Sequence, residues 1–398
     1  MQPKMRAGKR ELCERAGYFS HQYSMNKQQT NIQDVAVKTT AEIHAAHSSP
    51  PVLPELNIHH ILALTDDTGM FQHAVFNIPD YREGYTTDDN ARAVLLSVMM
   101  EGTSGEVNRQ IDKHAPHYVG LLWYAYNPET GRFRNFLSYS RVWLESTGSE
   151  DSHGRSLMAL GTVLGRSHSE SMCGIAERLF HIALPATLSF TSPRAWAFTL
   201  LGINEYRKRF PDNALVKATG EILANKLLDI YQSTASSDWH WFEDIVTYCN
   251  PRLSQAMIVS GEWLSRPKMT EAGLKSLAWL AEIQRSENGN FSPVGSNGFY
   301  KRNGFQAHFD QQPIEAYTMI SACFDAFRAT SEVSWKTEAQ RAFSWFLGRN
   351  DLGIPLYDPT TGGCHDGLHS DRINENQGAE STIAFQLALL EIQTMQKI

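Results

Sequence analysis

Six polar clusters punctuate the chain and gather most of its chemistry-bearing side chains. They read Tyr85-Thr86-Thr87-Asp88-Asp89-Asn90, Ser149-Glu150-Asp151-Ser152-His153, Thr191-Ser192-Pro193-Arg194, Asn250-Pro251-Arg252, Phe309-Asp310-Gln311-Gln312-Pro313 and Asn374-Glu375-Asn376-Gln377-Gly378-Ala379-Glu380. Carboxylates dominate these clusters and the loops beside them: Asp88, Asp89, Glu150, Asp151, Glu243, Asp244, Asp310, Asp366 and Glu380. Aromatic residues stand near them, among them Tyr85, Trp239, Trp241, Phe242, Phe299, Tyr300, Phe305 and Phe309. Crowded carboxyls in a site poor in water separate into one that keeps its proton and one that loses it. Glycosidic cleavage asks for that pair, a proton donor and a carboxylate that activates water. Flat rings suit the C–H faces of pyranoses, so an oligosaccharide is the expected partner.

The expected roles follow. Glu243 or Asp244 is the expected proton donor, and Asp310 or Asp151 the expected base, with Asp89 and Glu380 shaping the subsite. Trp239 and Trp241 are expected as a stacking platform. Asp88, Glu150, His153, Arg155, Arg194, Arg252, Gln311, Gln312, His365, Asp366, Asn376 and Gln377 are expected to bind hydroxyls or hold charge in place. At least half of the acids are expected to pair structurally with these arginines. Histidine offers two competing roles. His153 at a helix start is an ordinary capping or hydrogen-bonding residue, yet with His308 or His365 it would form the proton-moving pair of a sugar epimerase. Phosphate dependence would mark a third course, a phosphorylase.

The elements that must position these groups are helical. Apolar residues at i, i+3, i+4 and i+7 predict segments at 54–65, 89–101, 107–126, 153–166, 169–189, 193–210, 213–235, 252–265, 270–285, 311–330, 334–349 and 378–396. Strand-like stretches such as Arg134–Leu144 fall inside loops. The helix after each polar cluster is small and apolar, as in Ala91-Arg92-Ala93-Val94-Leu95-Leu96, whereas the helices between are more charged. Nearly apolar helices are buried on most sides and amphipathic ones cover them. The alternation predicts an all-α (α/α)6 toroid, with the six clusters at the N-terminal ends of the inner helices, on one face. Ser, Thr, Asp and Asn belong at such ends on capping propensity alone. Arg194 and Arg252 do not, because a cation in a first turn opposes the helix macrodipole.

Composition narrows the rest. The 398 residues are 42% hydrophobic and 20% charged with a net charge of -7, which is neither disordered nor basic enough for a polyanion partner. No apolar run reaches bilayer length, so neither membrane nor nucleic acid is an expected partner. The five cysteines form no CxxC pair, and no secretory h-region is visible; a cytoplasmic setting is expected. No GxGxxG, GxxxxGK or GxSxG pattern occurs, and no cofactor or metal is expected. Asp88-Asp89-Asn90-Ala91-Arg92 lacks the third acid of a magnesium-binding DDxxD box. Residues 1–53 read as a polar extension and 54–398 as one catalytic domain; the sequence does not define an oligomeric state.

At these clusters the sequence resembles the six-hairpin glycosidase superfamily. More narrowly it resembles bacterial proteins found alone or fused behind glycosyltransferase domains, often beside mannoside phosphorylases. The matching stretches are Gly84–Arg92 (GYTTDDNAR), Ser149–Arg155 (SEDSHGR), Ser192–Ala195, Trp241–Asp244 with Asn250–Leu253, Phe309–Glu315 (FDQQPIE), and Gly362–Gly367 with Asn376–Ser381. The resemblance implies a toroid acting on carbohydrate, with active-site acids at inner-helix starts. Pro251 and His365 depart from the pattern. Gly362–Gly367 also resembles the Cys-His element of lanthionine cyclases, but Cys249 follows Tyr248 where that family's second cysteine follows Trp. The expectation is a glycoside hydrolase, inverting, for manno- or gluco-configured oligosaccharides, with an epimerase or a phosphorylase as the alternative.

Overall fold

The computed structural model describes residues 53–101 and 106–398. Residues 1–52 of the expected extension, where the sequence suggests a short helix near Ile32–Ala46, lie outside the described residues. Twelve α-helices carry the described fold: α1 His59–Ala63, α2 Thr87–Met100, α3 Glu106–Ala125, α4 Glu150–Arg166, α5 Glu170–Ala183, α6 Pro193–Tyr206, α7 Ala214–Thr234, α8 Pro251–Trp263, α9 Pro267–Ile283, α10 Pro313–Thr330, α11 Val333–Phe346 and α12 Ala379–Gln396. The even-numbered helices each pack against the next even-numbered one, and α12 closes on α2. That ring is the inner layer of an (α/α)6 toroid. The longer odd-numbered helices pack outside it, and short α1 sits against α12. The predicted helix at 54–65 therefore shrinks to five residues, and 169–189 divides into α5 and a 3₁₀ turn at Leu184–Ser189.

Local sequence explains the helix starts. Thr86, Ser149 and Ser192 are extended N-cap residues whose hydroxyls accept the Asp89, Ser152 and Ala195 amides. Pro193, Pro251 and Pro313 occupy first-turn positions where no intrahelical N–H is needed. All six inner helices thus begin on the same face of the ring. Inner helices α4 and α6 approach most closely through glycine: a Cβ on Gly161 would lie 2.1 Å from the Gly202 carbonyl oxygen. Loops on the N-terminal face carry six two-stranded antiparallel ladders. Among them Tyr85–Thr86 pairs with Phe136–Leu137, the latter within the strand-like stretch Arg134–Leu144.

Candidate active site

The N-terminal mouth of the ring holds a cavity of about 370 Å³ between the starts of α2 and α12. Asp88, Asp89 and Arg92 enter it from α2, Glu380 and Ser381 from α12, Asp366 from the loop before α12, and Gln312 from the start of α10. Gln72, His73, Thr86, Asn135, Phe136, Asn374 and Gly378 complete the wall.

One guanidinium organises the acids. Arg92 Nη1 donates to Asp89 Oδ1 at 2.7 Å and lies 3.5 Å from Asp88 Oδ2, while Nη2 donates to Glu380 Oε2. Three carboxylates thus share one buried arginine, joining the first helix of the inner ring to the last. Thr86 caps α2 and donates its hydroxyl to Asp89 Oδ2 at 2.6 Å. Arg155 comes from α4, lies over the Phe198 ring at 4.2 Å, and donates to Cys249 Sγ at 3.2 Å.

Adjacent carboxyls feel opposite forces. Burial, reinforced by Asp88 and Glu380, outweighs Arg92 and pushes Asp89 up to about 7. Burial acts on Asp88 too, but the charges of Arg92 and Arg155 outweigh it and hold that carboxyl below the usual range. Asp366 is raised by burial against the Gly378 amide, which it accepts at 2.8 Å, and the Ser381 hydroxyl. The mouth therefore presents one carboxyl pulled down and two pushed up.

A second acid centre lies under the mouth. Glu315, in the first turn of α10, accepts the amides of Cys249 and Asn250 and the Asn250 side chain, and burial pushes it up to about 7. Arg194 donates to the Tyr248 carbonyl at 2.6 Å, to Glu243 Oε2 at 2.7 Å and to Asn250 Oδ1 at 3.3 Å. Asp151 is held by the Ser192 hydroxyl at 2.5 Å and by Tyr248 OH. Asp310 Oδ1 meets His369 Nδ1 at 2.6 Å.

These positions correct several expected roles. Trp241 is wholly buried against Trp279, and Trp239 donates to the Glu243 carbonyl and packs on Trp279 and Tyr300, so neither is a platform. Both rings are held in the core by Trp279, with Tyr300 against Trp239 and Phe242 against Trp241. His153 is fully buried: Nδ1 accepts the Phe133 amide and Nε2 meets the Ala183 carbonyl. Burial lowers it to about 3, which removes it as a proton carrier. Gln311 is buried on Trp345 and Asp351, and Glu150 caps the turn before α6 through the Thr191 and Ser192 amides. Asn376 and Gln377 tie loops together through the Phe76 amide, Thr361 and Asp358. His365 lies outside the cavity wall, its Nδ1 buried without a partner.

Asp244 points outward, 80% exposed, with Arg302 3.5 Å away. None of Glu243, Asp244, Asp310 and Asp151 lines the cavity. Arg252 turns away from its helix start and down the ring axis, where Nη1 donates to Gln255 and to Ser321 at 2.9 Å. Of the expected residues, the cavity gathers Asp88, Asp89, Gln312, Asp366 and Glu380. Sequence reading missed Arg92 as their hub, although its i+4 spacing from Asp88 was a visible signal. It also missed Glu315, Tyr248 and His73; Tyr248 carries no sequence signal of its own. Among the described residues no group of three or more His, Cys, Asp or Glu side chains is placed to hold a metal, and no helix is long and apolar enough to cross a membrane.

Fold and mouth together define an (α/α)6 toroid with an acid-lined cleft at its inner-helix N-termini. No family model and no curated protein sequence matches the chain. Its fold is similar to solved structures of carbohydrate enzymes. A sugar epimerase from a ruminal bacterium shares 12% identity over 85% of this chain and 97% of that one, with a TM-score of 0.66. A cellobiose 2-epimerase from Bacillus thermoamylovorans shares 10% identity over 85% and 95%, also at 0.66. A GH76 α-mannanase from Bacteroides thetaiotaomicron shares 11% over 79% and 87%, at 0.56. At such identities the shared property is the fold.

Proposed function

We propose that the protein is a carbohydrate-active enzyme that hydrolyses glycosidic bonds in the acid cleft, with manno- or gluco-configured oligosaccharides as substrates. One observation carries this reading: Asp88 is held low by Arg92 and Arg155, while burial of Asp366 outweighs its hydrogen bonds from Gly378 and Ser381 and the pull of His73 and holds it high. Asp88 is the base that activates water, and Asp366 is the proton donor to the leaving oxygen. Arg92, Asp89 and Glu380 fix the base and tune its charge. Acid and base enter from different elements, the first turn of α2 and the loop before α12.

Asp88→Asn and Asp366→Asn are each expected to lower kcat by about 10²–10⁴-fold on β-linked manno- or gluco-disaccharides, with unchanged circular dichroism. Asp366→Asn alone recovers rate on an aryl glycoside whose leaving group needs no proton. Unchanged rates in both variants sink the assignment. The anomer first released, read by NMR, tests the inverting course expected from sequence.

A second reading is epimerisation or isomerisation of a sugar. It is favoured by the Asp310–His369 pair, an imidazole oriented by a carboxylate on the loops of the same face, and by likeness to epimerases. Hydrolysis creates reducing ends and epimerisation does not, so one reducing-end assay with product analysis separates them; dependence on phosphate indicates a phosphorylase.

A further inference from the structure

An aromatic shelf runs outward from the cleft. Tyr85, buried beside the start of α2, stacks on Phe71 with centroids 4.6 Å apart. Phe71 meets Tyr81 at 4.9 Å, and Tyr81 stacks on Tyr139 at 5.2 Å with planes 26° apart. The series begins in the core and ends in solvent: Tyr81 is 52% exposed, Tyr139 55%, and Phe136, on the cavity wall, 41%.

Cleft and shelf are woven from the same three segments. Phe71 stands under the shelf while Gln72 and His73 line the cavity; Tyr85 joins the stack while Thr86 lines the cavity; Phe136 lines the cavity and Tyr139 ends the shelf. These segments are fastened by hydrogen bonds within the fold. The Phe76 amide donates to Asn376 Oδ1 at 2.9 Å, and the Gln377 and Ala379 amides donate to the Phe76 and Gln72 carbonyls. Gly84, at φ 63°, lets its strand approach the other so closely that a Cβ would lie 2.2 Å from the Leu137 carbonyl oxygen. Rings held in place lose little freedom on binding.

We infer that this shelf binds the outer units of an oligosaccharide whose reacting bond lies in the cleft, so that the substrate is longer than a disaccharide. The inference rests on the carbohydrate reading above. Half-exposed rings offer the apolar faces that pyranose C–H groups cover. The pairs Asp80–Arg82, flanking Tyr81, and Asp67–Arg141, near Tyr139, border the rings with polar groups; the remaining lone pairs and N–H groups of Arg82, Asp67 and Arg141 face solvent.

The test measures kcat/KM for β-1,4-linked glucose and mannose oligomers of increasing length. The wild-type ratio of tetrasaccharide to disaccharide is expected well above one, and Tyr81→Ala and Tyr139→Ala each to lower it by about fivefold. Tyr139→Phe, which keeps the ring, retains the ratio. Titration of Asp366→Asn with the same oligomers, followed by calorimetry, reads binding without turnover. A wild-type ratio near one, or a ratio untouched in both alanine variants, overturns the shelf while leaving the cleft's activity intact. Absence of turnover and binding with every oligomer overturns the carbohydrate reading beneath it. The exposed Val75 and Ile78 sit in the same loops, so sedimentation is run alongside: a dimer dispersed by Tyr81→Ala assigns the rings to a second copy and also overturns the proposal.

Discussion

The two mouths of the ring are both lined by charge, yet they are built on opposite principles. At the C-terminal mouth a cavity of about 100 Å³ is bordered by Arg166, Arg252, Arg328, Glu205, Asp325 and Glu391. There the charges are matched: Arg166 grips both oxygens of Glu205 at 2.6 and 2.7 Å, and Arg328 lies 3.5 Å from Asp325. Arg166 and Arg328 also stand in the last turns of α4 and α10, where the macrodipole favours cations. At the N-terminal mouth one arginine faces three carboxylates. Acids in a first turn are expected from the macrodipole alone, so their presence there proves nothing. Their excess over the cations, at the wall of an open cavity, is what sets this mouth apart from the matched one, and it is here that the proposed reaction is placed.

The largest expected effect separates the mouths by readout. Against the drop of orders of magnitude in turnover expected of Asp88→Asn, Glu205→Gln at the matched mouth should alter kcat by less than about twofold. It should instead lower stability by about 1–2 kcal/mol in urea unfolding, less than a fully buried pair because Arg166 is partly open to water. A comparable loss of kcat in Glu205→Gln would erase the distinction between the two mouths.

Proton linkage gives the next effect. Asp89 at one mouth and Glu391 at the other both hold protons up to about 7 when folded, against about 4 for an ordinary carboxyl in the unfolded chain. The folded chain therefore binds more protons in that window. Their stabilisation is fully present below about pH 4 and is lost as the pH rises through about 7. Tm is expected to fall across this range, and Asp89→Asn or Glu391→Gln to flatten the fall. Activity distinguishes them: Asp89→Asn alters the pH–rate profile near neutrality, because it changes the charge beside Asp88, whereas Glu391→Gln leaves the profile in place. A profile that responds equally to both substitutions contradicts the separation.

The ring itself was legible in the sequence because its signals are local. Caps such as Thr86, Ser149 and Ser192, first-turn prolines, and apolar inner helices each report on a few neighbouring residues. The site was legible as a face but not as a cavity. Asp88, Asp89 and Glu380 were visible as acids at helix starts and Asp366 as an acid in a neighbouring loop, yet what unites the first three is Arg92, and its reach to Glu380 spans the closure of the ring. Position at a helix start also does not reveal which way a side chain turns. His153 and Arg252 follow polar clusters, but one rotates into the core between Phe133 and Phe190 and the other down the axis. Trp241 precedes acids in the chain and still buries its ring, because an aromatic beside a carboxylate is equally suited to core or cleft. The exposed aromatics that border the cavity instead come from the loops around Phe71, Tyr81 and Phe136.

The smallest expected effect concerns hydroxyls that play parallel parts. Thr86 donates to Asp89 at 2.6 Å, and Ser321 donates to Glu391 Oε1 at 3.0 Å. Each bond favours the charged carboxyl and so opposes the upward push of burial. Removing either donor should raise its acid further, by a fraction of a pH unit. Thr86→Val also deletes a helix cap and should lower stability by about 1 kcal/mol, an effect that Thr86→Ser avoids. Only at the open mouth does the shifted acid lie beside a group proposed to react, Asp88. Thr86→Val is therefore expected to shift the pH–rate profile, Thr86→Ser to restore it, and Ser321→Ala to change the pH dependence of Tm alone. A profile moved by Ser321→Ala would instead mean that the matched mouth is electrostatically coupled through the ring axis, by way of Arg252, to the acids at the other end.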